Sequence, residues 1–342
     1  MSLTRKQHRI DNPAKIEIKV IEKELQEGKH VIVQFVNNTY SDQKLSELNR
    51  LCEKYDENFG VRFYGHYSSS FDFKTLLKIP NVKCLYVDCL MKGDNISVLT
   101  ELPKLKSLSL GVFDLKETEI LKADNLKRLS TLILTETKTK ALNLDYLRNY
   151  ENLQELIVGE HTKNIEAVGE ISNLEFLSLN SIKKTPVSFI NKLDKLKTLR
   201  FILGGKENIN EIKENSIENL EIVRVRGFND ISNITNFSKL KTLLIEDNIQ
   251  LPKIHFDNEF KYLNDLKILN CKSLGSLTGL ENLISLQQLR IYKTDIDFDT
   301  VINQNLSETL KTFAFYTTKK KIDDEIKTKL ENRGYSEWPQ NN

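Results

Sequence analysis

The chain has 342 residues, of which 39% are hydrophobic and 29% are charged. This composition predicts a soluble protein with a large buried core and excludes a disordered chain. The 50 Lys and Arg residues nearly balance the 48 Asp and Glu residues, so no global field draws the protein to nucleic acid or to a membrane surface. No run of about 18 apolar residues occurs, which excludes a membrane-spanning helix.

The four cysteines are too scattered to form a disulfide framework. Cys52, Cys84, Cys89 and Cys271 include no CxxC pair, which favours free thiols in a reducing compartment. The first ten residues are polar and basic and lack the apolar stretch of a signal peptide. We therefore predict a cytoplasmic protein, and a removed secretion signal is the alternative.

The beginning of the chain predicts a helix followed by a strand. The helix is expected over residues 13–28, with Pro13 in its first turn, Val20 on its apolar face and Gly28 at its end. The β-branched run His30–Val36 predicts a strand.

A second helix is expected from Ser41 to near Gly60, and a second strand from Val61. This segment alternates strands and helices but lacks the leucine spacing of the rest of the chain. Terminal units of a repeat array are atypical, because one side has no neighbour to cover the core. We interpret residues 1–60 as an α/β N-terminal cap.

One spacing of apolar residues, at offsets 0, 3 and 5, returns along most of the chain. It occurs at Val82/Leu85/Val87, Leu105/Leu108/Leu110, Leu129/Leu132/Leu134, Leu153/Leu156/Val158, Leu174/Leu177/Leu179, Leu196/Leu199/Phe201, Leu220/Val223/Val225, Leu240/Leu243/Ile245, Leu266/Leu269/Cys271, Leu286/Leu289/Ile291 and Leu310/Phe313/Phe315. The shortest step between first positions is 20 residues, from Leu220 to Leu240, and the longest is 26, from Leu240 to Leu266. These steps fall within the range of roughly 20–29 residues for leucine-rich repeats.

A second apolar series, at steps of three, precedes many of the predicted strands. It occurs at Ile96/Leu99/Leu102, Leu144/Leu147, Ile165/Val168/Ile171, Ile231/Ile234/Phe237 and Leu277/Leu280/Leu283. This spacing is typical of short 3₁₀ turns. Each repeat is thus predicted to contain a strand on one side and a short helix or turn on the other.

These motifs resemble leucine-rich repeat proteins over about three quarters of the chain. The segment Ile231–Ile234 followed by Leu240–Asn248 is most similar to the bacterial, internalin-like subtype. That family places Asn three residues after the last strand leucine, and here only Asn248 keeps it, while Thr137 and Thr294 could partly substitute. The resemblance implies an α/β leucine-rich repeat solenoid with a degenerate asparagine ladder. Its curved parallel β-sheet would form the concave face, and short helices and loops the convex face.

The predicted array covers residues 61–317, and the sequence changes character after it. Ile322–Arg333 predicts a helix that Gly334 ends. We interpret residues 318–342 as a helical C-terminal cap over the last strand.

No catalytic pattern is present in the sequence. HExxH, GxSxG, Walker-type and GxGxxG motifs are all missing, and the five histidines lie apart from one another. Gly204-Gly205-Lys206 lacks the other elements of a phosphate loop and is interpreted as a turn. We therefore predict no catalytic residue, no metal site and no cofactor, and we expect the protein not to be an enzyme.

The residues between the leucines are predicted to face the concave surface, because strand side chains alternate. With neighbouring strands about 4.8 Å apart, Arg200, Arg224 and Arg226 are expected to cluster beside an apolar patch. Arg and Tyr are enriched at binding hot spots; the alternative is that strands favour these residue types and that arginines keep the face soluble. The predicted partner contacts are Tyr86, Ile133, Ile157, Phe176, Arg200, Arg224, Arg226, Lys272, Arg290, Tyr292 and Tyr316.

The sequence thus favours a non-enzymatic interaction module that holds a protein partner on its concave face. An inhibitor or immunity protein that blocks a cognate toxin or enzyme is the alternative. In either case the arginines suit a partner with an acidic surface, and we expect a monomer that binds no nucleic acid and does not insert into membranes.

Overall fold

A computed structural model describes residues 7–139 and 142–338. These residues fall into two compact units, the first ending at Leu174 and the second beginning at Glu175. Parts of both predicted caps, residues 1–6 and 339–342, lie outside the described residues. We keep the division into two caps and an array, at 60/61 and 317/318, as a proposal.

The first unit alternates strands with helices in chain order. Its strands and α-helices are β1 (Gln7–Asp11), α1 (Ile18–Gln26), β2 (His30–Val36), α2 (Asp42–Lys54), β3 (Phe59–Tyr64), β4 (Ser70–Asp72), β5 (Cys84–Leu90), β6 (Lys92–Asp94), β7 (Ser107–Val112), β8 (Thr131–Leu134) and β9 (Glu155–Gly159). Its 3₁₀ helices are Phe73–Lys78, Ile96–Glu101, Ile120–Lys122, Leu126–Arg128, Leu144–Asn149 and Ile165–Glu170. Parallel pairing joins β1, β2, β3, β5, β7, β8 and β9 in that order, and β4 pairs separately with β6.

The second unit repeats the same arrangement. Its strands and α-helices are β10 (Phe176–Asn180), β11 (Thr198–Ile202), β12 (Asn219–Val223), β13 (Thr242–Glu246), β14 (Lys253–His255), β15 (Asp265–Leu269), β16 (Ser276–Thr278), β17 (Gln288–Tyr292), α3 (Phe298–Ile302), β18 (Thr312–Tyr316) and α4 (Lys320–Asn332). Its 3₁₀ helices are Ser188–Lys192, Ser232–Asn236 and Leu280–Asn282. Parallel pairing joins β10, β11, β12, β13, β15, β17 and β18, and β14 pairs with β16.

Aligned leucines form the core of each unit. In the first unit Leu108 pairs with Leu132 and Leu132 with Leu156, and all three side chains are fully buried. An isolated repeat could not cover these side chains, so stacking buries them as one continuous core. Each buried leucine contributes roughly 1.5–3 kcal/mol relative to an exposed one. The predicted repeat architecture, with strands and 3₁₀ helices in alternation, is confirmed.

The predicted register is wrong by three residues in two repeats of the second unit. Leu199 pairs with Leu220 and Phe201 with Ile222, so this repeat is Ile217/Leu220/Ile222 and not Leu220/Val223/Val225. Both triplets satisfy the spacing 0, 3 and 5, because apolar residues also follow the strand. The hydrogen-bonded pairing selects the triplet that stacks on its neighbours.

The same shift occurs two repeats further along the array. Leu243 pairs with Leu266 and Ile245 with Ile268, so the third apolar position is Ile268 and not Cys271. With both corrections, paired leucine positions lie 21 to 24 residues apart within each unit. The steps of 20 and 26 residues were products of the wrong register.

The position three residues after the third apolar residue of each repeat, where related repeats have asparagine, is more polar than the sequence predicted. Asn248 donates to the carbonyls of Ile222 and Glu246, at 2.7 and 3.0 Å, and accepts from the amide of Val225 at 3.1 Å. His161 occupies the same position in the first unit, where its Nε2 lies 2.9 Å from the Thr135 carbonyl.

Cys271 fills this position once the register is corrected. Its Sγ lies 3.5 Å from the Leu269 carbonyl and 3.7 Å from the Ile245 carbonyl. Asn, His and Cys thus each provide a side-chain partner for buried backbone groups, which would otherwise be unsatisfied.

The first predicted helix begins later than expected. The α1 helix starts at Ile18, so Pro13 precedes it, and Val20 is exposed while Ile21 and Leu25 face the core. The predicted start of α2 is confirmed, with Ser41 as its N-cap residue, but the helix ends at Lys54, and Gly60 belongs to β3. The strand β1, which pairs with β2, was not predicted from the sequence.

The C-terminal helix agrees closely with its prediction. The α4 helix ends at Asn332, and Gly334 follows it with a φ of +86°, a left-handed conformation that favours glycine. Ile326 and Leu330 are buried, whereas Ile322 is exposed. The ring of Tyr335 packs edge-on against Phe313 of β18, with centroids 5.7 Å apart.

A polar network crosses five strands of the first unit. Arg62 of β3 donates from Nε to Asp88 Oδ1 at 2.7 Å and from Nη1 to Gln34 Oε1 at 3.2 Å. Gln34 in turn donates to Asp11 of β1, and Ser109 of β7 donates to Asp88 Oδ2 at 3.1 Å. The network therefore connects the N-terminal strands to the first regular repeats.

We expect Arg62→Met to lower the free energy of unfolding by about 3 kcal/mol, because it leaves the Asp88 carboxylate buried without its countercharge. The side chains of Arg62 and Asp88 are only 13% and 12% exposed. Urea denaturation measures the change. The control Lys241→Met breaks the exposed pair with Glu218 and should cost less than about 1 kcal/mol; equal losses in the two variants would contradict the prediction.

We expect Asn248→Ala to lower the free energy of unfolding by about 2–4 kcal/mol, because the amide of Val225 and the carbonyl of Ile222 lose their buried partner. Asn229→Ala, which shortens an exposed side chain, should change it by less than about 0.5 kcal/mol. Thermal or urea denaturation of both variants tests this difference.

We expect His66 to make stability depend on pH. The ring is fully buried beside Phe71, and burial lowers the pKa of its imidazole below the ordinary value. The unfolded chain therefore takes up a proton near pH 6.5 that the folded chain resists, so stability is lost as the pH falls below about 6.5. The slope is at most about 1.4 kcal/mol per pH unit.

Urea denaturation between pH 7 and pH 5 measures this dependence as a difference between wild type and His66→Phe. The variant should show the smaller loss on acidification. Phe71→Leu disturbs the same packing without removing a titrating group, and it should keep the wild-type slope. A slope that is unchanged in His66→Phe would show that His66 does not contribute.

Candidate interaction surfaces

The strand residues that alternate with the buried leucines form one face of the sheet in each unit, which we call the open face. It corresponds to the predicted concave surface. Tyr86 belongs to this face in the first unit, but it is only 6% exposed and packs with Ile32 and Cys84. Its hydroxyl lies 3.4 Å from His30 Nε2. The prediction that the Tyr86 side chain is exposed on this face is therefore wrong, because its ring is part of the core.

The predicted apolar patch is divided between the two units. Ile133 and Ile157 are direct cross-strand neighbours on the open face of the first unit, and both are half-buried. Phe176 begins β10 of the second unit and is buried there, with the Arg200 guanidinium 5.9 Å from its ring centroid.

The three predicted arginines occupy three different environments. Arg200 lies opposite Glu221 on the neighbouring strand, and Nε donates to that carboxylate at 2.6 Å. Arg224 follows β12 and pairs with Asp247 at 2.6 Å. Arg226 lies two residues further along the chain and lines a cleft. They were predicted to cluster because the predicted register was shifted by three residues in this repeat.

Arg224 has a left-handed backbone conformation. It belongs to a column of residues with left-handed φ, between +53° and +61°, that directly follow the strands of the second unit. The column comprises Ser181, Leu203, Arg224, Asp247, Asn270 and Lys293. Asp247 accepts hydrogen bonds from Arg224 and Asn270, and the bond from Arg224 lowers the pKa of this carboxyl.

The predicted partner contacts nearest the C-terminal end, Lys272, Arg290, Tyr292 and Tyr316, are only partly brought together. Tyr292 and Tyr316 are cross-strand neighbours with ring centroids 6.3 Å apart, and the Arg290 guanidinium lies 5.1 Å from the Trp338 ring. Lys272 lies beyond the end of β15 and is not on the strand. Lys267 occupies the strand position instead.

The sequence predicted only part of an apolar row on the open face of the second unit. Five side chains occupy the position after the third apolar residue of their repeats. Strand pairing places them side by side, with one interruption at Glu246. We call them the apolar row. They are Ile202, Val223, Leu269, Tyr292 and Tyr316. All five are half-buried or exposed. The wrong register concealed Val223 and Leu269, since it assigned both to buried positions.

A cleft of about 970 Å³ lies beyond the ends of the strands in the second unit. Lys183, Lys184, Lys206 and Arg226 line it, together with Gly204, Gly205 and Gly227. Gly204-Gly205-Lys206 was predicted only as a turn. The signal that could have identified the cleft is the repetition of basic residues and glycines at equivalent places in three successive repeats.

The three buried cysteines are poor candidates for a catalytic nucleophile. Burial raises the pKa of the Cys52 and Cys84 thiols to about 12 and that of Cys271 to about 11, which makes them poor nucleophiles at neutral pH. No group of three or more His, Cys, Asp or Glu side chains within residues 7–139 and 142–338 is placed to hold a metal ion. None of the helices in that part of the chain combines the length and the apolar composition that crossing a membrane requires.

Comparison with known proteins supports the fold and not a particular function. No protein-family model matches the sequence, and no curated protein matches it either. Among solved structures, an internalin (InlF) from Listeria monocytogenes aligns over 91% of this chain and 87% of its own, with 17% identity and a TM-score of 0.50.

Two further structures align with lower scores. Internalin C2 from Listeria monocytogenes covers 70% of this chain and 83% of its own at 18% identity, with a TM-score of 0.32. A chain of the Toll–Spatzle complex from Drosophila covers 90% of this chain and 45% of its own at 16% identity, with a TM-score of 0.45. With its parallel repeats and the alignment to InlF, the chain has the leucine-rich repeat fold.

Proposed function

We propose that the chain is a non-enzymatic interaction module that binds a protein partner on the open face of its second unit. The apolar row carries this proposal. Ile202 and Val223 are cross-strand neighbours, as are Leu269 and Tyr292, and Tyr292 remains 40% exposed. Accessible apolar side chains in register on a sheet are typical of the centre of a protein interface.

The other rows of this face are less available for binding. Arg200 is paired with Glu221, and Lys267 with Asp265 at 2.6 Å. From β11 onward the row that begins the strands is polar, and Thr242 donates to the side chain of Asn219 at 2.8 Å. Charges that are already paired add specificity more than affinity, so the apolar row is the main source of affinity in this proposal.

The sheet supports binding through its rigidity. Strand backbones are fixed by hydrogen bonds on both sides, so their side chains lose little freedom when a partner associates. Tyr292 and Tyr316 also restrain one another through an edge-to-face contact. An apolar ridge on the partner would fit the row, and acidic residues beside that ridge would suit Arg290.

We propose a monomer, as the sequence predicts. We also propose a reducing compartment, because Cys89 is an exposed free thiol and the other cysteines are buried and unlinked. The nearly balanced charge gives no support to nucleic-acid binding. The inhibitor or immunity function remains a prediction of the sequence, as do the partner contacts predicted at Ile133, Ile157 and Lys272.

We expect the double variant Leu269→Ser/Tyr292→Ala to lose capture of the partner by about tenfold or more, because it removes the centre of the apolar row. Immobilised wild-type and variant proteins are incubated with an extract of the source cells, and the retained proteins are identified and quantified. Thermal unfolding of the variant should show that it remains folded.

Tyr262→Ala is the matched control. Tyr262 is 43% exposed in the second unit and lies outside the strands, so the same partner should be retained. If the double variant keeps the partners of the wild type while folded, the apolar row is not the binding surface and the proposal fails.

A further inference from the structure

The cationic cleft of the second unit is built by three successive repeats. Backbone bridges join Lys183 to Gly205 and Gly205 to Arg226 in parallel. Neighbouring strands are about 4.8 Å apart, so the backbones of Lys183 and Arg226 lie about 10 Å apart on either side of a residue without a side chain.

Gly205 leaves an open position between the two cations. A Cβ atom added there would meet only the Arg226 carbonyl oxygen, at 3.6 Å, which is an ordinary contact. The backbone of Gly205 is also outside the left-handed region. The space above Gly205 is therefore available to a ligand, and a larger side chain could occupy it without backbone strain.

The charges in the cleft leave a positive excess. Lys206 is only 15% exposed and lies 3.4 Å from Glu211 Oε1, while Glu211 Oε2 accepts hydrogen bonds from the amides of Val187 and Ser188. Glu211 thus already interacts with Lys206 and with the backbone of the neighbouring loop. Glu207 is the second carboxylate in a lining that has four cations.

Three of these cations remain available. Within the part of the chain that the structure describes, the side chains of Lys183, Lys184 and Arg226 take part in no ion pair or side-chain hydrogen bond. Lys183 and Lys184 are exposed, as is Arg226. An anionic ligand could therefore pair with them without first breaking an internal salt bridge.

We propose that this cleft binds an acidic peptide segment of the protein partner, with carboxylates seated at Lys183 and Arg226 on either side of Gly205. The inference rests on the proposed function and extends it by specifying the chemistry of part of the partner. A volume of about 970 Å³ accommodates several residues of an extended peptide, and flexible lysines with a planar guanidinium suit carboxylates.

The lining favours a peptide over a nucleic acid. Among the described residues that line the cleft none is aromatic, so bases would find no stacking platform. The carboxylates of Glu207 and Glu211 would repel a continuous phosphate backbone, whereas a peptide can place neutral residues beside them.

The test is fluorescence anisotropy of a labelled hexaglutamate peptide titrated with the full chain at low ionic strength. Wild type should bind the peptide, and Lys183→Gln/Arg226→Gln should weaken binding by about tenfold or more, because two charge-assisted contacts are lost. The control Lys253→Gln/Lys311→Gln removes the same net charge from exposed sites of the same unit, and it should weaken binding less than about twofold.

Substitutions at Gly205 distinguish the effect of an added charge from the effect of filling the space between the two cations. Gly205→Glu places a carboxylate between the two cations and should abolish hexaglutamate binding, whereas the neutral Gly205→Gln should weaken it less. Both variants should unfold at the wild-type temperature, since the added Cβ fits.

Several outcomes would overturn the proposal. These are no binding of hexaglutamate to wild type, equal losses in the cleft variant and the lysine control, or tighter binding of a labelled hexauridylate that the same cleft residues support. Failure of this test leaves partner capture through Leu269 and Tyr292 untouched, and failure of that capture experiment leaves the peptide titration interpretable. The two proposals can therefore fail separately.

Discussion

The shared burial of leucine rows in parallel register is the constraint on which the rest of the structure depends. A single repeat has too few apolar side chains to cover itself, so its leucines are buried only when they align with those of the next repeat, as Leu220 aligns with Leu199 and Leu243. This alignment fixes the strand spacing and the direction of every alternating side chain. It also determines which residues are displayed on the open face.

Two further features follow from this alignment. At the end of each strand the chain must turn toward the next element. Residues with left-handed φ, such as Arg224 and Asp247, make that turn in successive repeats. The turn leaves buried backbone groups, which Asn248, His161 and Cys271 satisfy with three different side chains. The requirement is for a hydrogen-bonding group at that position, and asparagine is one of several solutions.

The two surfaces proposed for binding differ in what they offer a partner. The apolar row provides area that gains from leaving water, and its tyrosines are held in place by one another. The cationic cleft provides Lys183, Lys184 and Arg226, which pair with no carboxylate among the described residues, next to a gap at Gly205. Most other charges on the open face, such as Arg200 with Glu221, are already paired within the chain and are less able to contribute affinity.

The sequence by itself determined the repeat length, the strand and 3₁₀ helix pattern and most elements at both ends of the chain, because these depend on local spacing and on capping residues such as Ser41 and Gly334. It could not determine the phase of the repeats at Leu220 and Leu266, where two triplets satisfy the same spacing. Only the tertiary structure decided between them, because hydrogen-bonded pairing with both neighbours permits a single register. That choice separated Arg200 from Arg224 and aligned Val223 with the apolar row, so the composition of the open face depends on contacts between repeats that no local pattern contains.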